Sequence, residues 1–189
     1  MEKDDFRQYV NKVAPLSDEG FELLQKISIS KKLKKGECLL KAGQVCAANY
    51  IVQSGYLRTF YHKDGVDINT HFAFEGGLVT NLKSIKSGQP SAYTIEAGEA
   101  SDIWIIDRAG LNELCALSPE IMLFSRRLLS NMLIDLEEHS TLFKIYTPAE
   151  RYQYIEKNKP GLLQRVSLSQ LASYLGVTRE TLSRIRRKK

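Results

Sequence analysis

Residues 27–107 are a succession of short strand-like runs, and this alternation limits the fold more than any other feature of the chain. The runs fall at 37–41, 49–53, 56–62, 67–74, 92–97 and 102–107. Turn signals separate them at Lys41-Ala42-Gly43, Ser54-Gly55, Asp64-Gly65, Gly76-Gly77 and Ala97-Gly98. Alternating β-branched and aromatic residues, broken by turns every ~8–12 positions, predict an antiparallel sandwich or barrel. The lysine-rich stretch from Lys31 to Lys35 is interrupted by Leu33. It reads as a strand edge or loop rather than a nucleic-acid patch. Ahead of the β region, residues 4–26 read as helical, with Phe6, Val10 and Val13 on one face. Phe21, Leu23 and Leu24 follow after Pro15.

A long helix follows the β region. Ser118-Pro119 supplies a cap with proline at the first helical position, and Glu120 suits the positive helix end. Met122, Ser125, Leu129, Met132, Leu136, His139 and Phe143 recur by threes and fours, as in a coiled-coil seam. Ile121, Leu123, Phe124, Leu128 and Leu133 add a second apolar face. Two such faces predict packing against the β domain and against a second copy of the chain. The expected seam residues are Met122, Leu129, Met132, Leu136 and Phe143. Thr147-Pro148 ends this helix and begins the next.

The C-terminal stretch reads as two short helices joined at a glycine. Ser167 followed by Gln170 is a capping box opening a helix that carries Leu168, Leu171, Ala172 and Leu175. Gly176 stands where a left-handed residue is needed, and Val177 fills the turn. Thr178 caps a second helix with Leu182 and Ile185 inward, a pattern that predicts a helix-turn-helix. Its outward residues are Arg179, Glu180, Ser183, Arg184 and Arg187. An arginine fork matches O6 and N7 of guanine, a carboxylate accepts from cytosine N4, and a serine hydroxyl serves either role. On an ordinary solvated helix Glu180 and Arg184 would be an i,i+4 pair worth a few tenths of a kcal/mol. The capped preceding helix, the glycine turn and the basic end at Arg186, Arg187, Lys188 and Lys189 favour DNA reading instead.

Charge supports the same division. The chain carries +5 overall, but residues 140–189 hold eleven Lys and Arg against three Glu, and the preceding residues are net acidic. A basic end on a mildly acidic body fits a nucleic-acid module joined to a domain of another kind. The three cysteines, Cys38, Cys46 and Cys115, have no zinc-like or disulfide-like spacing. The acidic start lacks a signal sequence, and no window approaches the ~20 apolar residues of a membrane span. A cytoplasmic location without membrane contact is therefore expected.

The run Thr178-Arg179-Glu180-Thr181-Leu182-Ser183-Arg184 resembles the recognition helix of the CRP/FNR regulators, the cyclic-AMP receptor and fumarate–nitrate regulator group. One branch of that family reads bases with residues matching Arg179, Glu180 and Arg184, the other with residues matching Glu180, Ser183 and Arg184. This chain satisfies both patterns. The resemblance implies phosphate contacts at Ser167 and Ser169, with Thr178 capping the second helix. The turns at Ser54-Gly55 and Lys63-Asp64-Gly65 resemble those of the family's cyclic-nucleotide-binding domain. The expected fold is thus α+β. It comprises an N-terminal double-stranded β-helix (jelly roll) sensor domain at 1–117, a long dimerisation helix at 118–146 and a C-terminal winged helix-turn-helix-like domain at 147–189. The expected function is a homodimeric, sequence-specific DNA-binding transcriptional regulator. Double-stranded DNA and RNA polymerase are its implied partners, with Arg187 and Lys188 completing the DNA-contact set.

Family members that bind cyclic nucleotides use a Gly-Glu pair and, further on, an Arg-Ser pair. Here the second pair aligns with Pro90-Ser91 and the first falls near Val79-Thr80, so both the carboxylate and the cationic fork are missing. Lys83 or Lys86 offers a point charge, which does not replace a fork. An effector other than cyclic AMP is expected, with Thr80, Asn81, Ser91 and Tyr93 as pocket candidates. The alternatives are a cyclic-nucleotide-responsive regulator with an atypical phosphate site, or a jelly-roll dimer or adaptor without specific DNA reading. No cofactor is expected: iron–sulfur clusters generally take four cysteines, and lone strand histidines such as His62 and His71 read as structural rather than as haem ligands. An enzyme is not expected, because metal-dependent jelly rolls need a His-x-His pair that this chain lacks.

Overall fold

The run Ile103-Trp104-Ile105-Ile106 is apolar at every position because the strand that carries it is covered on both faces. In the computed structural model, which describes residues 2–187, this strand is β8 (Ser101–Asp107). Ile103 and Ile105 face a core between two sheets, whereas Trp104 and Ile106 face a layer of helices. It lies between β1 (Ser28–Leu33) and β3 (Ala48–Ser54), with β6 (Leu78–Val79) beyond β3. The second sheet runs β2 (Cys38–Leu40), β7 (Thr94–Ala97), β4 (Leu57–Lys63) and β5 (Val66–Ala73). All pairings are antiparallel. Leu33, Leu40, Tyr50, Val52, Leu57 and Ile95 are among the residues filling the space between the sheets. This is the expected jelly roll.

The helical layer is built by α1 (Glu2–Val13), α2 (Asp18–Lys26) and α4 (Arg108–Leu117). It is completed by the first half of α5 (Pro119–Ile145). The α2 cap, Ser17, accepts from the Gly20 amide, and Ser17 itself donates through N and Oγ to the Glu120 carboxylate. Glu120 therefore does more than complement the α5 dipole; it ties α5 to α2. Ile121, Phe124 and Leu128 drive one face of α5 into the core with Phe21, Leu24, Ile51 and Trp104.

The far side of α5 leaves Met122, Leu133 and Leu136 about half exposed or more, at 49%, 59% and 60%. Leu129 is partly exposed on the same side. Two of the expected seam residues lie elsewhere. Met132 packs toward the β domain. Phe143 is held inside its own chain, beneath the Arg151 guanidinium and beside Tyr174 and His139. The threes-and-fours pattern admits both faces of α5, and only the packing of the C-terminal helices separates them.

The lysine stretch contributes edge strand β1, as its composition predicts, and Lys31 pairs with Glu37 at 3.1 Å. Three other elements were not expected from the sequence. Strand β6 has two residues and α3 (Leu82–Ser87) has six, too few to display a period. Helix α4 is opened by Asp107, which accepts from the Gly110 amide. At the other end, α6 (Pro148–Asn158), α7 (Pro160–Arg165), α8 (Leu168–Leu175) and α9 (Arg179–Arg187) form the C-terminal module. Among the described residues no strand accompanies these four helices, so the wing of the expected motif has no counterpart there.

Candidate nucleic-acid interface

The candidate face begins with two local devices. Ser167 and Gln170 form a reciprocal capping box at the start of α8, satisfying amides that would otherwise be left without partners. At its end Gly176 takes φ 70°, and the Val177 amide returns to the Ala172 carbonyl, closing the helix tightly enough for α9 to start two residues later. Thr178 Oγ1 accepts from the Thr181 amide at 3.2 Å. Leu171, Ala172, Leu175 and Leu182 are buried together, with Val177 and Ile185 against them, and this packing fixes which side of α9 faces outward.

That outward side gathers the residues singled out by sequence. Arg179, Glu180, Ser183, Arg184 and Arg187, with Leu168 at the rim, line one open groove of about 420 Å³. The Glu180 carboxyl is held below its usual range, first by its own backbone amide, then by Thr178 and the Arg179 and Arg184 charges. It is thus an acceptor only at neutral pH, the form that cytosine N4 requires. Arg184 donates to Thr181 Oγ1 at 3.3 Å, leaving the rest of its fork free.

Ser167 lies exposed at the α8 start. Ser169 and Thr178 line a second, larger cleft of about 1060 Å³ beside Gly65–Asn69 of the β4–β5 hairpin, together with Arg179 and Thr181. Thr181 was not anticipated from sequence, although its spacing three residues after the Thr178 cap was the available signal. Lys188 lies outside the described residues.

Three of the four pocket candidates, Thr80, Asn81 and Tyr93, line a cavity of about 350 Å³, bounded also by Tyr61, Lys83, Pro90 and, from α5, Met132. Their polar groups are largely spent on one another. Thr80 Oγ1 donates to Ala48 O, Asn81 Nδ2 to Ser91 Oγ, Ser91 Oγ to Tyr93 O, and Tyr93 Oη to Thr80 O, all between 2.7 and 3.0 Å. Asn81 also caps α3 through the Ser84 amide. Ser91 is 3% exposed and sits behind the cavity wall rather than on it. Burial pushes the Tyr93 phenol up to about 12, so it remains neutral. The one cation on the cavity wall is Lys83, a single ammonium where a ribose phosphate would call for a fork. Calorimetric titration with cyclic AMP or cyclic GMP is accordingly expected to give no saturable micromolar site.

Neither strand histidine is free to change role cheaply. His62 faces Asp67 at 3.0 Å. His71 is pushed down to about 4 by burial, with His139 and Lys159 adding to the shift. Among the described residues, no group of three or more His, Cys, Asp or Glu is placed to hold a metal ion, and no helix is long and apolar enough to cross a membrane.

The family model of the cyclic nucleotide-binding domain matches residues 30–118. The transcriptional activator protein FnrA of Stutzerimonas stutzeri is 28% identical over 167 residues, covering 82% of this chain and 68% of that protein. The anaerobic regulatory protein of Pasteurella multocida is 26% identical over 184 residues, covering 90% and 66%. The chain thus spans about two thirds of the length of both relatives. A transcriptional regulator of the CRP/FNR family from Eubacterium rectale superposes with a TM-score of 0.68 at 20% identity, over 92% of this chain and 83% of that one.

Proposed function

We propose that the chain, which is similar to the activator FnrA and to an anaerobic regulatory protein and carries a cyclic nucleotide-binding-type β domain, is a transcriptional regulator of the CRP/FNR type rather than an enzyme, and that it binds duplex DNA sequence-specifically as a homodimer. The observation that carries the reading is the single groove on α9, in which Arg179, Glu180, Ser183, Arg184 and Arg187 stand free of the core that buries Leu182. Arginine at 179 and 184 would favour guanine, and Glu180 would favour cytosine on the opposite strand. Ser167 and Ser169 would supply hydroxyls for phosphates, with Thr178 capping α9 and Lys188 adding charge. The exposed stripe Met122, Leu129, Leu133 and Leu136 supports pairing of two α5 helices. A two-fold dimer sets half-sites about one DNA turn apart.

The internally bonded pocket favours an effector other than a cyclic nucleotide, and no cofactor is invoked. RNA polymerase is the expected protein partner, and the chain is expected to work in the cytoplasm where the DNA is. Selection from random duplexes should return a near-palindrome with half-site centres ~10 base pairs, or a multiple, apart. Arg184→Ala should cost ~1–3 kcal/mol on the best sequence and relax preference at one base position. Selection that yields no motif, or a motif indifferent to this substitution, would sink the base-reading assignment.

A further inference from the structure

A cleft of about 290 Å³ lies where the end of α5 meets α6. It shares no residue with the groove on α9, with the cavity beside Lys83 or with the exposed stripe Met122, Leu129, Leu133 and Leu136. Helical period explains its α5 side: Ile134, Glu138 and Thr141 recur by four and three and so come to one side of the helix.

Two aromatic rings complete it. Burial of Tyr152 and Ile155 sets the rotation of α6, and this brings the Tyr154 ring beside Tyr146, with centroids 6.2 Å apart and planes 29° from parallel. Tyr146 is 38% exposed, so its ring is not consumed by a core. Glu137 and Glu138 line the same cleft. Glu137 is exposed and, among the described residues, holds no ion pair. Glu138 has Lys159 Nζ at 3.9 Å, with both side chains nearly half exposed, a contact of the kind that contributes little and yields easily. Ile134 and Leu142 supply apolar surface.

This lining selects a kind of ligand. Aromatic faces carry the negative part of the ring quadrupole, and two carboxylates add net charge, so the cleft attracts a cation. Calcium and magnesium need a shell of oxygens, whereas ring faces and aliphatic side chains replace none of their water. Among the described residues no group of three or more His, Cys, Asp or Glu is placed to hold a metal ion. A bare ammonium is compact and strongly hydrated, and the same surface would strip its water without replacing it. Methyl groups on the nitrogen remove that cost, because they pack on rings and on Ile134 and Leu142 while the charge remains.

We propose that the cleft binds a small organic cation bearing a methylated ammonium group, held by the Tyr146 and Tyr154 rings and the Glu137 and Glu138 carboxylates. A cation there touches α5 and α6 together.

The test titrates the full chain with choline, and separately with its uncharged isostere in which carbon replaces the nitrogen. The ring-proton shifts of Tyr146 and Tyr154 are followed by NMR. Choline should saturate with a dissociation constant of about 1 mM or below, and the isostere should bind about 10-fold or more weakly. Tyr146→Ala keeps the backbone carbonyl that Arg151 uses, and Glu137→Gln with Glu138→Gln alters only exposed side chains, so folding is preserved. Each variant should weaken choline by about 3-fold or more, the effect of losing one exposed cation–ring or charge contact. No saturable shift overturns the site. Equal binding of the isostere overturns cation recognition, and choline binding indifferent to both variants overturns the residue assignment. Magnesium chloride that displaces choline where sodium chloride of equal ionic strength does not would make the cleft a metal site and overturn the ligand class.

Discussion

Leu136→Asp is expected to give a folded monomer with duplex affinity lower by about 10²–10⁴-fold, the range that linking two binding modules commonly contributes. Leu136 is 60% exposed and lies on the face of α5 turned away from the core, so an aspartate there disturbs no packing within one chain. In a paired helix the same carboxylate is buried against an apolar neighbour and opposite its own copy, which costs several kcal/mol unless the pair separates. Analytical ultracentrifugation should show the wild type as a dimer at micromolar concentration and the variant as a monomer. A monomeric wild type removes the dimer from the account. A dimeric Leu136→Asp variant moves the interface elsewhere.

On the opposite face of the same helix, Phe124→Ala should lower unfolding stability by about 3–5 kcal/mol, as truncating a buried aromatic ring does. Phe124 is fully buried among Phe21, Leu24, Ile121 and Trp104, with no solvent-facing side onto which the site could relax. Total stabilities of about 5–15 kcal/mol make this a large fraction. The measurement is a urea midpoint taken in the Leu136→Asp background, where dimerisation no longer couples stability to concentration. A loss below about 1 kcal/mol would mean that α5 is not anchored by this ring. Leu133→Ala, on the exposed face, should stay within about 0.5 kcal/mol in that monomeric background.

The parts of the fold written in local chemistry were legible in the sequence. The capping box at Ser167, the left-handed Gly176 and the alternating strands each depend on residues within about a turn of one another, and each forms. The grouping of Arg179, Glu180, Ser183 and Arg184 in one groove was legible for the same reason, since helical period alone brings them to one side. What escaped is what long-range packing decides. Met132 and Phe143 share the spacing of Leu129 and Leu136, yet one faces the β domain and the other faces Tyr174. Ser91 looked like a cavity-facing polar residue because nothing local reveals that its hydroxyl is engaged by Asn81 and Tyr93 behind the wall. Ser173 and Arg165 gave no signal at all, because their partners in the β domain, Asn69, Glu75 and Glu99, stand 66 or more residues away.

The joint between α5 and α6 consists of Tyr146 and Thr147 alone. Two residues span at most about 7 Å, so a C-terminal module freed from the β sheet pivots but does not drift. Its return is a unimolecular event on a very short tether, with an effective concentration in the millimolar range or above. Arg151 shortens the travel further, because one guanidinium donates to the carbonyls of Phe143, Tyr146 and Leu175 and thereby pins α5 to α8. Any movement at this joint would therefore be a rotation about a pin rather than a separation of the two parts.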